Sequence, residues 1–339
     1  MIRTVEIMSD VTIFAPSPTL TITIEDHPPD GEIHVHAGGQ GVWQARMLMR
    51  LGASVTICAA LTGETGRVLG HLLEDEGIAM ACVSRPGRGS AYVHDRRGGE
   101  RREIAEVEGD PLSRHELDEL YGMALREGLS AGLVILSGPA GESAIPPDTY
   151  RRLASDLRAA GARVIVDLAG QRRQAALDGG VDVLKLSSEE LHADGLATDG
   201  SVVAIMAAMR GLRAAGADVV VVTRGADPAL LLDGDGFVDI TVPQLQVADA
   251  RGAGDSLTAG MAAALAGGAD IREAVVTGAA AGALNITRHG LGTGQADAIE
   301  HLREAVELRD VGEDGSADQV TGRISPDGLA ALAEPENPA

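Results

Sequence analysis

Lysine is almost absent from this chain of 339 residues: of its 28 basic residues only Lys185 is lysine, and the other 27 are arginine. That excludes a P-loop, because G-x-x-x-x-G-K-[ST] needs a lysine behind a glycine loop and Lys185 sits in Val-Leu-Lys-Leu-Ser with no such loop before it. The dinucleotide fingerprint G-x-G-x-x-G follows no strand candidate either. A nucleotide, if bound, is held by another device. Cysteine is nearly as scarce: Cys58 and Cys82 cannot build a disulfide framework or a multi-cysteine metal site within one chain, which fits a reducing compartment. One Trp, three Tyr and two Phe are too few for a stacking platform along single-stranded nucleic acid or for a broad aromatic sugar-binding face. No apolar run approaches the roughly 20 residues of a membrane span, and the start MIRTVEIMSD lacks the apolar core of a signal peptide, so a cytoplasmic location is expected. With 28 basic against 50 acidic residues the formal net charge is −22, which repels nucleic acid and anionic membranes. A phosphorylated ligand must therefore meet a local positive pocket.

What is present is an alternation. Apolar, β-branched runs at 55–61, 133–138, 164–169, 181–187, 218–225 and 229–234 are apolar on both faces, as strands covered from both sides are. Between them lie helix-length segments such as GRVLGHLLEDEG and DTYRRLASDLRAAG, several ending at Gly. These features predict an α/β fold, a three-layer sandwich around a mostly parallel central sheet. Residues 19–36 and 90–107 instead alternate apolar and polar around Pro-Pro-Asp-Gly and Arg-Gly-Gly turns, the pattern of half-exposed hairpins. They read either as two surface hairpins or as one small β lid. The expected division is a main domain over 10–18, 37–87 and 108–308, a lid over 19–36 and 88–107, and a partly mobile C-terminal extension over 309–339.

The segment Asp249-Ala-Arg-Gly252-Ala253-Gly254-Asp255 precedes a helical run. Small residues ahead of a helix let backbone N–H groups converge on an anion, and the helix dipole adds roughly half a positive charge. Asp255, in the first turn, can reach a hydroxyl attacking a cradled phosphoryl group and accept its proton. The alternative is a plain turn with Asp255 as a capping group. The small face Ala259, Gly260, Ala263 and Ala264 reads as close helix packing.

Several such segments in one order, over about residues 10–305, resemble the ribokinase-like (PfkB) sugar kinases, in particular their phosphofructokinase and tagatose-phosphate kinase branch. The resemblance implies a catalytic Asp255 with an anion hole at Gly252, Ala253 and Gly254. Gly38-Gly39-Gln40-Gly41 resembles the sugar-side G-G-K-G signature. Lys185-Leu-Ser187-Ser-Glu-Glu190-Leu resembles K-P-N-x-x-E-L, which implies that Glu190 organises Mg²⁺ through water. Thr223-Arg-Gly225 resembles the strand end that meets nucleotide phosphates, and Asn285 ends a helix expected beside the adenine. ATP and Mg²⁺ are thus the implied co-substrate and ion, a sugar or sugar phosphate the acceptor, and a homodimer through the lid the implied assembly; no nucleic acid or membrane partner is expected.

The sugar side departs from that pattern. Ser17-Pro18-Thr19-Leu20-Thr21 stands for N-P-x-x-D, so Thr21 replaces a carboxylate; Gln40 replaces a lysine and Trp43 an asparagine that contacts sugar. Ser187 stands for the Asn of N-x-x-E. Trp43 reads equally as a pocket residue and as core. Lys185, the one cation not replaced by arginine, suits a site that needs a compact charge, although chance survival explains it as well. Arg88 lies where the branch places a phosphate-binding arginine, whereas Arg96, Arg97, Arg101 and Arg102 read as a solvated hairpin tip. His27, His34 and His36 are too loosely spaced for a zinc site and read as lid surface. The resulting expectation is an ATP- and Mg²⁺-dependent kinase; the rival is a nucleotide- or sugar-binding sensor of the same fold that has lost turnover.

Overall fold

The computed structural model describes residues 10–26, 31–99, 101–139, 141, 144–288 and 291–316. In chain order the elements are β1 (Val11–Phe14), β2 (Thr19–Glu25), β3 (Glu32–Gly38), α1 (Gln40–Arg50), β4 (Val55–Thr62), α2 (Gly63–Asp75) and β5 (Ala79–Arg85). Next come β6 (Ala91–Asp95), β7 (Arg102–Val107), α3 (Arg114–Ala131), β8 (Leu133–Ser137), α4 (Pro147–Ala159), β9 (Arg163–Asp167), α5 (Gly170–Gly179) and β10 (Val181–Ser187). The chain continues through α6 (Ser188–Ala193), α7 (Val202–Ala214), β11 (Ala217–Arg224), β12 (Asp227–Leu232) and β13 (Phe237–Thr241). Last are α8 (Ala253–Ala266), α9 (Ile271–Asn285), α10 (Ala296–Arg303) and β14 (Glu307–Val311).

Ten strands form the main sheet in the order β14-β13-β12-β11-β10-β9-β8-β1-β4-β5. From β11 to β5 every neighbour is parallel, and β12, β13 and β14 add an antiparallel edge. The runs expected at 133–138, 164–169, 181–187 and 218–225 are the central strands, and the mostly parallel sheet follows the expectation. The short edge partners β13 and β14 carried no comparable apolar run. Because β14 already spans Glu307–Val311, the extension expected from residue 309 begins inside an edge strand. Its remainder beyond residue 316, like the Pro28-Pro29-Asp30 part of the first hairpin turn, lies outside the described residues.

Strand periodicity then sorts the core. Ile135, Ile165, Val183 and Val221 point to one face, where they pack with Val42 and Met47 of α1 and Leu257 and Met261 of α8. Their neighbours Leu136, Val166, Leu184 and Val222 point to the other face, against Leu120 of α3, Leu153 of α4 and Met209 of α7. The sheet is therefore buried on both sides, as the unbroken apolar runs required. The same parity carries forward to the strand ends: Ser137, Asp167, Lys185 and Thr223 lie two residues beyond those four and share the α1/α8 face. The strand order reverses at β1, which lies between β4 and β8, so the crevice at the carboxyl ends of these strands is where this architecture binds ligands.

The two hairpins form one four-stranded sheet, β3-β2-β6-β7. Each hairpin is antiparallel, and β2 joins β6 in parallel, with Thr21 opposite Tyr92 and Thr23 opposite His94. One face carries Thr19, Thr21, Thr23, His36, Tyr92 and His94; the other carries Ile22, Ile24, Ile33, Val35, Val93 and Val107 by the same alternation. Ile33 is 67% and Val35 45% exposed. Among the described residues no helix is long and apolar enough to cross a membrane.

Candidate active site

Helix α8 begins at Gly252, whose backbone is left-handed (φ 69°, ψ 3°) and which offers no capping side chain. The first N–H groups of α8 have no intrahelical acceptor, so the helix presents a bare positive end toward the crevice. A Cβ on Gly254 would lie 2.3 Å from Lys185 Nζ, so the ammonium occupies the space that a side chain would take. Lys185 thus stands beside the Gly252–Gly254 segment that was expected to form an anion hole. The positive φ at 252 favours glycine, and Leu291 Cδ2, which would be 3.0 Å from a Cβ, packs closely on it.

Asp255 follows in the first turn, partly buried. Burial raises its carboxyl to about 7; the charge of Asp167 adds to the rise, while Lys185 and a hydrogen bond from Gln40 oppose it. A carboxylate with a proton affinity near neutrality is suited to accept a proton from a hydroxyl. Lys185 is pushed down by burial, but Asp167, Asp255 and Glu190 outweigh that and leave it above its ordinary value. It stays a cation. The ammonium lies 3.3 Å from Asp167 Oδ1 and 3.4 Å from Oδ2.

Asp167 was not singled out from the sequence. Its signal was an acidic residue at the end of an otherwise apolar run, Val164-Ile165-Val166-Asp167, where the core cannot explain it. Glu190 closes a capping box at the start of α6: the Ser187 amide donates to Glu190 Oε2 (2.6 Å) and the Glu190 amide to Ser187 Oγ (3.2 Å). Ser187, a departure in the motif, thereby holds Glu190 facing Lys185. Thr223 is partly buried at the end of β11, directly opposite Ser187, and Gly225 (φ +61°) turns the chain toward β12.

Asn285 is 1% exposed, its Nδ2 donates to the Arg251 carbonyl (2.6 Å) and its Oδ1 accepts from the Gly292 amide (3.1 Å), so both ends of the amide are engaged in pinning the loop ahead of α8. The small face of α8 is helix packing, as expected: a Cβ on Gly260 would lie 2.8 Å from Gly278 Cα of α9.

On the sugar side a small cavity of about 150 Å³ is lined by Ala15, Ser17, Pro18, Gly39, Gln40, Gly41, Val42, Gly138 and Pro139. Gln40 Oε1 accepts from the Gly138 amide (2.9 Å) while its amide reaches Asp255, so Gln40 connects the cavity to Asp255. Thr21 lies against Gly38, where a Cβ would be 2.3 Å from its hydroxyl. Thr19, bonded through its hydroxyl to Ser90 (2.9 Å), is nearer the cavity beside Pro18 and Gly39. Trp43 on α1 is half-buried and outside the cavity lining, with its carbonyl against Gly292.

Arg88 is exposed and pairs with Asp110 (3.2 Å). The hairpin arginines are not a uniformly solvated tip. Arg96 is 20% exposed and lies 3.7 Å from Asp249, joining the small sheet to the loop ahead of α8. Arg101 stacks 4.6 Å above Tyr92, whereas Arg97 and Arg102 pair with Asp95. His34 is lid surface, as expected, but His36 is partly buried near Arg46; His27 lies outside the described residues.

The chain matches the pfkB family carbohydrate kinase pattern over residues 6–298. It is 31% identical over 284 residues to the ATP-dependent 6-phosphofructokinase isozyme 2 of Escherichia coli, covering 80% of this chain and 89% of that protein. It is also 31% identical over 245 residues to a 1-phosphofructokinase of Rhodobacter capsulatus, covering 70% of this chain and 76% of the relative. Among solved structures, E. coli phosphofructokinase-2 in complex with fructose-6-phosphate superposes with a TM-score of 0.75 at 26% identity, covering 88% of this chain and 99% of that one. Arabidopsis thaliana ribokinase shares the fold, with a TM-score of 0.70 at 22% identity over 88% of this chain and 99% of its own. With the family pattern matched over residues 6–298 and relatives 31% identical over most of its length, this chain belongs to the pfkB family of carbohydrate kinases.

Proposed function

We propose that the protein transfers the terminal phosphoryl group of ATP to a hydroxyl of a sugar or sugar phosphate seated between the Gly39–Gln40 turn and the lid. The observation that carries this reading is the meeting of Asp255, Lys185 and the bare end of α8 at one point of the crevice. Asp255 takes the proton from the acceptor hydroxyl as its oxygen forms a bond to phosphorus and the bond to ADP breaks. The charge that develops on the transferred group is met by the amides at 252–254 and by the Lys185 ammonium, fixed before reaction. Thr223 and Gly225 border the nucleotide phosphates.

Magnesium fits an outer position here. Glu190 has one oxygen engaged by the Ser187 amide, and among the described residues no group of three or more His, Cys, Asp or Glu forms a direct cage. The ion would take its ligands from phosphate oxygens and water, with Glu190 holding the water, and it supplies neutralisation of phosphate charge. The exposed apolar lid face, with Ile33, Val35 and Val107, is read as the seam of a homodimer. The cytoplasm, where ATP is made available and thiols stay reduced, is the compartment for Cys58 and Cys82, which are free.

The test is a coupled assay with ATP, Mg²⁺ and a panel of sugars and sugar phosphates, run beside Asp255→Asn. Turnover on a panel member that is lost in the variant supports the reading. Tight nucleotide binding without turnover on any acceptor would favour the sensor. Light scattering at micromolar concentration reads the dimer.

A further inference from the structure

Helix α1 sends two glutamines into the site, one turn apart. Gln40 reaches Asp255; Gln44, four residues on and therefore on the same face, is 0% exposed. A fully buried amide must find partners for both ends. Gln44 Oε1 accepts from Ser137 Oγ (2.5 Å), and Gln44 Nε2 donates to Asp167 Oδ2 (3.4 Å). That same oxygen accepts from Thr258 Oγ1 of α8 (2.9 Å). Two neutral donors from two helices thus hold Oδ2, and Lys185 bridges both oxygens of the carboxylate. The Lys185 ammonium therefore stands where Asp167 keeps it, against Gly254 at the first turn of α8.

We propose that Gln44 is a positioning residue for nucleotide binding: by fixing the Asp167 carboxylate it holds the Lys185 ammonium at the bare end of α8. The physical reason is a competition. Asp167 and Lys185 are both buried, with side chains 4% and 8% exposed, so neither can turn to water for compensation. Remove the Gln44 amide and Asp167 loses a donor while Ser137 loses an acceptor. The carboxylate then satisfies itself with the one mobile donor it has, and Lys185 is drawn off Gly254 toward β9. Trp43 stands one residue earlier, outside the cavity lining, so in this chain the inward-facing amide of α1 acts on the phosphate side of the site.

This inference rests on the reading that Lys185 meets nucleotide phosphates, and Lys185→Met tests that reading separately by ATP affinity alone. The experiment is calorimetric titration of the full chain with ATP, together with acceptor KM in the kinase assay. For Gln44→Leu, which keeps the volume, the expected result is a rise in ATP Kd of about 10-fold, the scale for losing a hydrogen bond to a charged group, with acceptor KM changed less than about 2-fold. Thr258→Val, which removes the other donor to Oδ2, is expected to act in the same direction and carries the test should Gln44→Leu fail to fold. Ser137→Ala, which removes the partner of Gln44 Oε1 but leaves the donor to Asp167, is expected to weaken ATP binding less than Gln44→Leu. Unchanged ATP affinity in either donor variant overturns the proposal, as does an equal weakening of ATP and acceptor. If Lys185→Met itself leaves ATP affinity unchanged, it is the lysine assignment that fails.

Discussion

The two sides of the crevice are built on opposite terms. On the phosphate side Asp167, Lys185 and Thr258 are buried, bonded to one another, and delivered by strand ends and one helix turn whose parity the core dictates. On the sugar side the groups are hydroxyls, an amide and an exposed arginine, borne on turns and on a thin sheet with one open face. A charged group removed from water must have every partner in place, so the phosphate side tolerates little change. The departures from the expected pattern at Thr21, Gln40 and Trp43 lie on the sugar side, with Ser187 the one departure on the phosphate side.

Replacing the base tests this contrast most severely. Asp255→Asn is expected to lower kcat by at least about 10², within the usual contribution of general-base assistance, and to leave ATP affinity within a few-fold. Steady-state kinetics beside calorimetry reads both; an equal loss of ATP affinity would make Asp255 part of the nucleotide site instead.

The pH dependence comes next. The base must be ionised, so log kcat/KM is expected to fall with unit slope as pH drops below about 7, the value to which burial and Asp167 raise Asp255. Gln40→Lys puts a cation beside that carboxylate and should move this limb to lower pH. Stability runs the other way. Because the folded-state value is raised, the unfolded chain ionises first; stability is full below about 4, is lost as pH climbs to about 7, and is level above. Asp255→Asn, which cannot ionise, should therefore gain in Tm over the parent across that window and hold the gain above it. A gap that is constant from pH 4 to pH 8 would refute the raised value.

Smaller effects are expected on the sugar side. Arg96→Ala breaks the contact between lid and Asp249 and should raise acceptor KM by about 5-fold, the scale of one partly exposed ion pair, with ATP affinity unchanged. An unchanged acceptor KM would detach the lid from the site. Smallest is Trp43→Asn: half-buried and outside the cavity, it should cost about 2 kcal/mol in chemical denaturation, less than the roughly 3–5 kcal/mol of a fully buried aromatic, without redirecting acceptor preference. A shift in preference on the sugar panel would return Trp43 to the pocket.

The motif around Asp255 was legible because a helix end reads locally: a left-handed glycine, small residues and a carboxylate lie within four positions. The central strands were legible from apolar runs that only a two-sided sheet can bury. Asp167 and Gln44 were not, since nothing within a few residues marks either; their partners are 18 to 123 residues away. The partners of Asn285, Arg251 and Gly292, and the contact of Arg96 with Asp249 are likewise set by the fold and have no local mark in the sequence.

The sequence by itself determined the layered α/β architecture, the open helix end and the candidate base, all properties of periodicity and local backbone chemistry. Only the tertiary structure decided which buried polar and charged groups meet. Hydrogen bonds and ion pairs act over about 3 Å, and which side chains come that close depends on how strands β8, β9 and β10 align beneath α1 and α8.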